Sequence, residues 1–146
     1  MDAITVALSL VGLVAVSTTI GLVWRARQGW VTHRGADTIV KAQDVPGVER
    51  FAAGATLVQF STEVCAPCRA THSVLKETAA DYTDVTHVNV DLTHHPDIAK
   101  RFRVMQTPTT LILDSKGRVR ARIGGAPRPG SVRAEIDRIL AIRPYP

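Results

Sequence analysis

The chain has few cysteines, few aromatic residues and a long opening segment without charge. Only two of its 146 residues are cysteine, and aromatic residues make up 5%. Hydrophobic residues still make up 45%, a share typical of folded proteins, so the composition does not indicate disorder. The length fits one domain with its own core plus an appendage, and it excludes two ordinary globular domains.

The shortage of aromatics also bears on the basic character of the chain. The formal net charge of +5 would by itself suit a nucleic-acid partner. The basic residues, however, are spread from Arg25 to Arg143 and do not alternate with aromatics as in a base-stacking surface. We therefore expect no nucleic-acid partner.

The uncharged segment runs from Ala3 to Trp24 and contains 22 residues. As a helix it would extend about 33 Å, enough for a hydrocarbon core of about 30 Å. A cleaved secretory signal is the alternative, but its only passable cleavage site, Ala15-Val16-Ser17, lies inside the apolar run, and no basic side chain precedes that run. The sequence predicts a transmembrane anchor over residues 1–24.

Positive charge after this segment predicts its orientation. The positive side chains that follow it are Arg25, Arg27, Arg34 and Lys41. Positively charged flanks stay inside, so we expect the rest of the chain in the cytoplasm, with the outer face as the alternative. Residues 25–43 lack a clear period and are predicted to be a juxtamembrane linker, and residues 44–146 the folded domain.

Periodicity within the domain predicts alternating strands and helices. The predicted helices are Pro46–Phe51 with Asp44 as a cap, Ala66–Tyr82, Pro96–Phe102 with Thr93 or His94 near its cap, and Ser131–Ile142. The predicted strands are Ala55–Ser61, Val85–Asp91, Thr109–Leu113 and Arg118–Ile123. A right-handed crossover makes the first two strands parallel, and the last two form a hairpin, so the expected fold is α/β with a central mixed sheet flanked by helices.

The two cysteines stand together in Cys65-Ala66-Pro67-Cys68, between a predicted strand and a predicted helix. Thiols at this spacing can close a small disulfide ring, and a helix N-terminus stabilises a thiolate there. Pro67 is tolerated because amides of the first turn have no intrahelical partner. This arrangement suits thiol-disulfide exchange.

Two other interpretations of the cysteines remain open. A structural disulfide would close too small a ring to stabilise much. A zinc or copper site would need further ligands, for which the candidates are His72, His94 and His95. We expect no metal, and a metal-handling thiol module stays an alternative.

Residues 44–142 resemble the thioredoxin family in element order, in the dicysteine, and in Thr107-Pro108-Thr109 before the hairpin. The resemblance implies a thioredoxin-like fold preceded by one transmembrane helix. It also implies that Cys65 is the attacking thiolate and Cys68 the resolving one. Pro108 stands where the family has a cis proline, which would turn the Thr107 backbone toward Cys65 to bind an extended substrate, beside Ala66 and Pro67.

Three positions depart from the family pattern. Gln59 occupies the place of a buried aspartate that helps deprotonate the resolving thiol, and His87 replaces a lysine on the neighbouring strand. Val64 replaces a tryptophan before the first cysteine. The smaller side chain changes the surface around Cys65 and the fit of a partner, but it does not remove the chemistry. A neutral amide does not accept a proton at pH 7, so we hypothesise a proton relay in which His87 assists through a water.

The resemblance implies a membrane-bound protein-disulfide reductase whose redox group is its own dithiol, so no dissociable cofactor is expected. Its partners would be proteins with disulfides and an unidentified electron donor. Because Ala66 and Pro67 carry no charge, the expected reduction potential is nearer about −270 mV than about −120 mV. A tethered binding module with non-catalytic cysteines is a further alternative.

Overall fold

A computed structural model describes residues 2–33 and 38–142 of the chain. Its helices are α1 (Ala3–Arg27), α2 (Ala66–Ala80), α3 (Pro96–Arg101) and α4 (Ser131–Ile142). Its strands are β1 (Val31–Thr32), β2 (Ala55–Ser61), β3 (Val85–Asp91), β4 (Thr109–Asp114) and β5 (Val119–Gly124). Arg34, one of the charges used to orient the chain, lies outside the described residues, as do residues 143–146 of the predicted domain.

The five strands form one sheet in the order β1-β5-β4-β2-β3. Strands β2 and β3 are parallel and are joined through α2, whereas β4 pairs antiparallel with both β2 and β5. The predicted mixed sheet is therefore confirmed. The short strand β1, which the sequence did not predict, adds an antiparallel edge next to β5.

Strand β2 is an interior strand, between β4 and β3, and all seven of its residues are buried. Val58 and Phe60 belong to the hydrophobic cluster on the α3 face, where the Phe60 ring lies 5.1 Å from that of Phe102. Leu57 points to the opposite cluster, which α2 and α4 cover with residues such as Leu75 and Ile136. Packing on both faces fixes the position of the carboxyl end of β2, where the cysteines follow.

The predicted helix at Pro46–Phe51 is wrong. The chain forms a 3-10 turn at Ala42–Asp44 instead, before the proline. Val45 is extended, with φ −111° and ψ 111°, as expected for a residue that precedes proline, and Gly47 has a φ of +79°. These two conformations stop a helix from continuing. Asp44 is used differently from the prediction, since it accepts a hydrogen bond from the Lys41 N–H and pairs with Arg101.

The start of α3 agrees with the prediction that Thr93 or His94 lies near its cap. His95 is the residue at the N-cap, and no side chain among the described residues caps the helix. The Thr93 hydroxyl instead accepts a hydrogen bond from the backbone N–H of Glu63 at 3.0 Å. Thr93 thus holds the loop that leads to the first cysteine.

Part of the predicted linker, residues 25–43, joins the sheet. Val31 pairs with Ile123 in the β1–β5 ladder, and Ile39 forms a bridge with Arg118. Val40 is only 5% exposed and belongs to the core cluster on the α3 face. The segment is too short for periodicity to reveal these pairings, which depend on partners about 80 to 90 residues away in sequence. The division at residue 44 stays a prediction.

Helix α1 covers the predicted apolar segment and extends it to Arg27. None of its residues is buried against the rest of the protein. Large apolar side chains such as Leu8, Val11 and Leu22 are therefore exposed along its length. The helix is long and apolar enough to cross a membrane, although a signal sequence near the N-terminus would meet the same criterion.

Candidate active site

The carboxyl end of β2 leads into a loop that is fastened to β3 and to the segment after it. The Ser61 hydroxyl donates to Asn89 at 2.8 Å, and the Ser61 carbonyl accepts from the Leu92 N–H at 2.8 Å. The Glu63 N–H is held by Thr93, as described above. These hydrogen bonds position the residues just before Cys65.

Cys65 and Cys68 form a disulfide, with a sulfur–sulfur distance of 2.03 Å. Cys65 occupies the N-cap of α2, and Pro67 lies in its first turn, as predicted. Cys65 is partly exposed, whereas Cys68 is only 4% exposed. A substrate can therefore reach the first sulfur, while the second lies beneath it.

The peptide bond between Thr107 and Pro108 is cis, as the resemblance led us to expect. The Thr107 hydroxyl lies 3.5 Å from that of Thr62, three residues before Cys65, so this turn lies beside the cysteine loop. Within the described residues, no hydrogen bond occupies the backbone N–H or C=O of Thr107. These groups are free for a main-chain partner.

Gln59 is fully buried beneath the second cysteine. Its amide nitrogen donates to the Cys68 carbonyl at 2.9 Å. Its oxygen lies 3.1 Å from Nε2 of His87, and because that oxygen only accepts, Nε2 carries the proton and Nδ1 is left as the basic atom. The two predicted relay residues are therefore connected to each other and to the Cys68 backbone.

The surroundings of His87 keep it neutral. Burial, with smaller contributions from the charges of His72 and Lys76, lowers the pKa of His87 from 6.5 to about 4. The His72 ring lies against it, with 4.9 Å between ring centroids. His72 is thus a neighbour of the relay.

One group of side chains in the described part of the chain has ligand atoms close enough to hold a metal ion. Glu63, Asp91 and His94 place one such atom each within 4.8 Å of one another. The group includes His94, one of the predicted candidates, but not His72, His95 or either cysteine. The Thr93 backbone N–H donates to Asp91 and lowers the pKa of that carboxyl. This hydrogen bond accounts for the position of the Asp91 side chain without a metal ion.

Two buried hydroxyls near the second cysteine were not singled out from the sequence. Thr110 is the register partner of Gln59, and Thr71 lies one turn after Cys68 on α2. Neither hydroxyl has a hydrogen-bond partner among the described residues. Threonine is common in strands and helices, so only the three-dimensional arrangement marks these two.

Comparisons with known proteins agree with this geometry. A family model described as thioredoxin matches residues 47–138. A thioredoxin of Staphylococcus aureus is 32% identical over 93 residues, covering 62% of this chain and 88% of the relative. A thioredoxin of Staphylococcus saprophyticus is 31% identical over 91 residues, with the same coverage.

Solved structures show the same likeness. Thioredoxin NaTrxh from Nicotiana alata superposes with a TM-score of 0.53 and 30% identity, over 60% of this chain and 74% of that one. Oxidised mitochondrial thioredoxin 3 from Saccharomyces cerevisiae gives a TM-score of 0.51 and 28% identity, over 58% and 78%. The matched part therefore corresponds to most of each relative, and α1 lies before it.

Proposed function

Because this chain belongs to the thioredoxin family, we propose that its thiol-disulfide oxidoreductase activity is that of a membrane-tethered protein-disulfide reductase. The observation that carries the proposal is the bonded pair at the start of α2, with an accessible Cys65 above a buried Cys68. The accessible sulfur suits attack on a substrate, and the buried one suits the second, intramolecular step.

The reaction begins from the dithiol form. The Cys65 thiolate attacks one sulfur of a substrate disulfide, forming a mixed disulfide and releasing the other substrate sulfur as a thiolate, which takes up a proton. Cys68 then loses its proton, attacks Cys65 and displaces the second substrate thiolate. Two electrons have passed to the substrate, and the protein is left with the Cys65–Cys68 disulfide, which an external dithiol must reduce.

Substrate binding is proposed to be mainly through the main chain. The free N–H and C=O of Thr107 beside cis Pro108 would pair with an extended segment that carries the disulfide. Ala66 and Pro67 are both exposed between the cysteines and would contact that segment. Small, uncharged contacts of this kind favour a broad range of sequences.

The reduction potential tests the reductase proposal. The full chain in detergent is equilibrated against dithiothreitol or glutathione buffers, and free thiols are scored by alkylation. We expect a value near about −270 mV together with reduction of insulin. A value near about −120 mV would identify an oxidant instead, and stoichiometric metal with no reversible couple would favour the metal-handling alternative.

We propose further that His87, oriented by Gln59, assists the second step by relaying the proton of Cys68 through water. Gln59 contacts the Cys68 backbone and orients His87 so that its basic Nδ1 is unused. The connection to the thiol would run through a water, for which the unpaired hydroxyls of Thr71 and Thr110 are suitable partners. The lowered pKa keeps His87 neutral at physiological pH, so its role would be to accept a hydrogen bond from the water and pass the proton on to solvent, not to hold it.

The pH dependence of mixed-disulfide resolution tests this relay. Because the pKa of His87 is lowered to about 4, we expect the wild-type rate to fall as the pH drops through that value. The rate of His87→Ala should not fall in this pH range, and at higher pH this variant should resolve the mixed disulfide about tenfold more slowly than wild type. His72→Ala is the matched control, because removing its charge should move the limb toward higher pH. Superimposable profiles for wild type and His87→Ala would remove the proposal.

Helix α1 is proposed to be a retained anchor. Its apolar length and its lack of buried residues support this, and Arg25 and Arg27 in its last turn favour a cytoplasmic domain. We expect the full chain to stay with membranes in high salt and alkaline carbonate and to be released by detergent. Release by carbonate, or a mature protein without residues 1–24, would contradict the anchor; protease protection in sealed vesicles would report the side.

A further inference from the structure

The end of α1 lies at the same end of the sheet as the redox site. The Gly29 N–H, two residues after α1, donates to the Gly124 carbonyl at 2.8 Å. The next residue, Gly125, donates its N–H to the Pro108 carbonyl at 2.8 Å. Only the end of β5 therefore separates the membrane helix from the cis-proline turn beside Cys65.

The helix leaves the protein at this end. None of the residues of α1 is buried, so it does not run back along the domain. If α1 spans a bilayer, the membrane surface lies where the helix departs, beside the end of the sheet that carries Cys65 and Pro108.

The junction between α1 and β1 is short, and several contacts attach it to the rest of the domain. Gly29 has a φ of +72°, and a Cβ at this position would collide with the Ala126 carbonyl. Arg128 donates to the Ala26 carbonyl at 2.6 Å and places its guanidinium 4.8 Å from the Trp30 ring. The Trp30 indole N–H donates to the same carbonyl. These contacts restrict rotation of the domain relative to the helix.

The side chains at this end suit a bilayer surface and the segments that emerge from it. Val64, next to Cys65, is 98% exposed, and Met105, three residues before Pro108, is 92% exposed. Arg25 and Arg27 end α1 and would meet anionic headgroups.

We propose that the redox site faces the membrane and acts on disulfides in the membrane-proximal segments of membrane proteins. This inference rests on the proposed reductase function and on the anchor. A domain on a flexible tether would sample all directions, whereas the fastened junction holds Cys65 near the bilayer. Disulfides held close to the membrane then meet the site at a higher effective concentration than disulfides held far above it.

The test uses the full chain in vesicles of zwitterionic and anionic phospholipid, with dithiothreitol as the reductant. The substrates are single-span peptides with one disulfide loop, placed either four residues from the apolar segment or beyond a 30-residue helical spacer of about 45 Å. A soluble peptide with the same loop reports the chemistry alone. We expect the proximal loop to be reduced at least about fivefold faster than the distal loop.

A linker variant separates orientation from tethering. Twelve Gly and Ser residues inserted between Arg27 and Gln28 keep the hydrogen bond from Gly29 to Gly124 but separate Ala26 from Arg128 and Trp30, which frees the domain from α1 and should bring the ratio below about twofold. The same insertion between Met1 and Asp2 is the matched control and should keep the native ratio. Both variants should reduce the soluble peptide at the native rate, which shows that they are folded.

The outcomes are distinguishable. Equal rates for proximal and distal loops, with the soluble peptide reduced normally, would overturn this inference and leave the reductase function intact. A proximal preference that survives the linker after Arg27, or that is lost in the control insertion, would also overturn it. No reduction of the soluble peptide would overturn the proposed function itself.

Discussion

Cys65→Ser abolishes disulfide reduction, while Cys68→Ser captures substrates as stable mixed disulfides. An alcohol does not replace the thiolate as nucleophile, so we expect the first variant to lose at least about a thousandfold in rate. In the second variant the attack still occurs, because Cys65 is partly exposed, but the buried resolving sulfur is missing. Mass spectrometry of the protein mixed with a disulfide peptide measures the covalent adduct.

The doubly substituted protein, with serine at both positions, is the matched control and should form no adduct. Dithiothreitol should release the peptide from Cys68→Ser. Adducts on Cys65→Ser instead of Cys68→Ser would reverse the two roles. If neither single variant captured the peptide and partner binding survived Cys65→Ser, the chain would be a binding module with non-catalytic cysteines.

A fragment of residues 44–146 is expected to be at least about 2 kcal/mol less stable than one of residues 28–146. The shorter fragment loses burial of Val40, about 1.5 to 3 kcal/mol, and backbone bonds that contribute about 0.5 to 1.5 kcal/mol each. Those bonds include Val40 N–H to the Gly117 carbonyl at 2.8 Å and Val119 N–H to the Thr38 carbonyl at 3.0 Å. Urea unfolding, followed by circular dichroism, measures the difference in the free energy of unfolding.

Two point variants in the longer fragment make this prediction specific. Val40→Ala removes methyl groups from the core and should cost about 1 to 2 kcal/mol. Ile39→Ala is its control, because Ile39 is 63% exposed, and it should change stability by less than about 0.5 kcal/mol. Equal unfolding midpoints for the two fragments would show that residues 28–43 contribute nothing and would support the domain boundary at residue 44.

Elements with a strong period were predictable with their bounds. The strands at Ala55–Ser61 and Val85–Asp91 and the helix at Ser131–Ile142 agree with the prediction at both ends. Each has a local pattern of apolar residues that can be recognised in the sequence: a short apolar-rich run in β2, valines alternating with polar residues in β3, and one apolar helical face in α4. Strand β1 has two residues and no period of its own, and it exists only because β5 offers an edge.

The helix predicted from Pro46 failed for a related reason. Helical composition is a weak preference, and the extended Val45 before the proline and the positive φ of Gly47 override it. The chain in this region follows the core cluster that contains Val40 and Val45. That cluster includes side chains from distant strands, which the local sequence does not indicate.

The sequence by itself determined the redox chemistry and the family. The features that indicate them can be recognised from the sequence alone: a thiol pair at this spacing, the downstream Thr107-Pro108 and the order of elements. Only the tertiary structure decided which sulfur is accessible, how Gln59 and His87 connect to Cys68, and where α1 joins the sheet. Those properties arise from contacts between residues far apart in the chain, and packing across the sheet creates them.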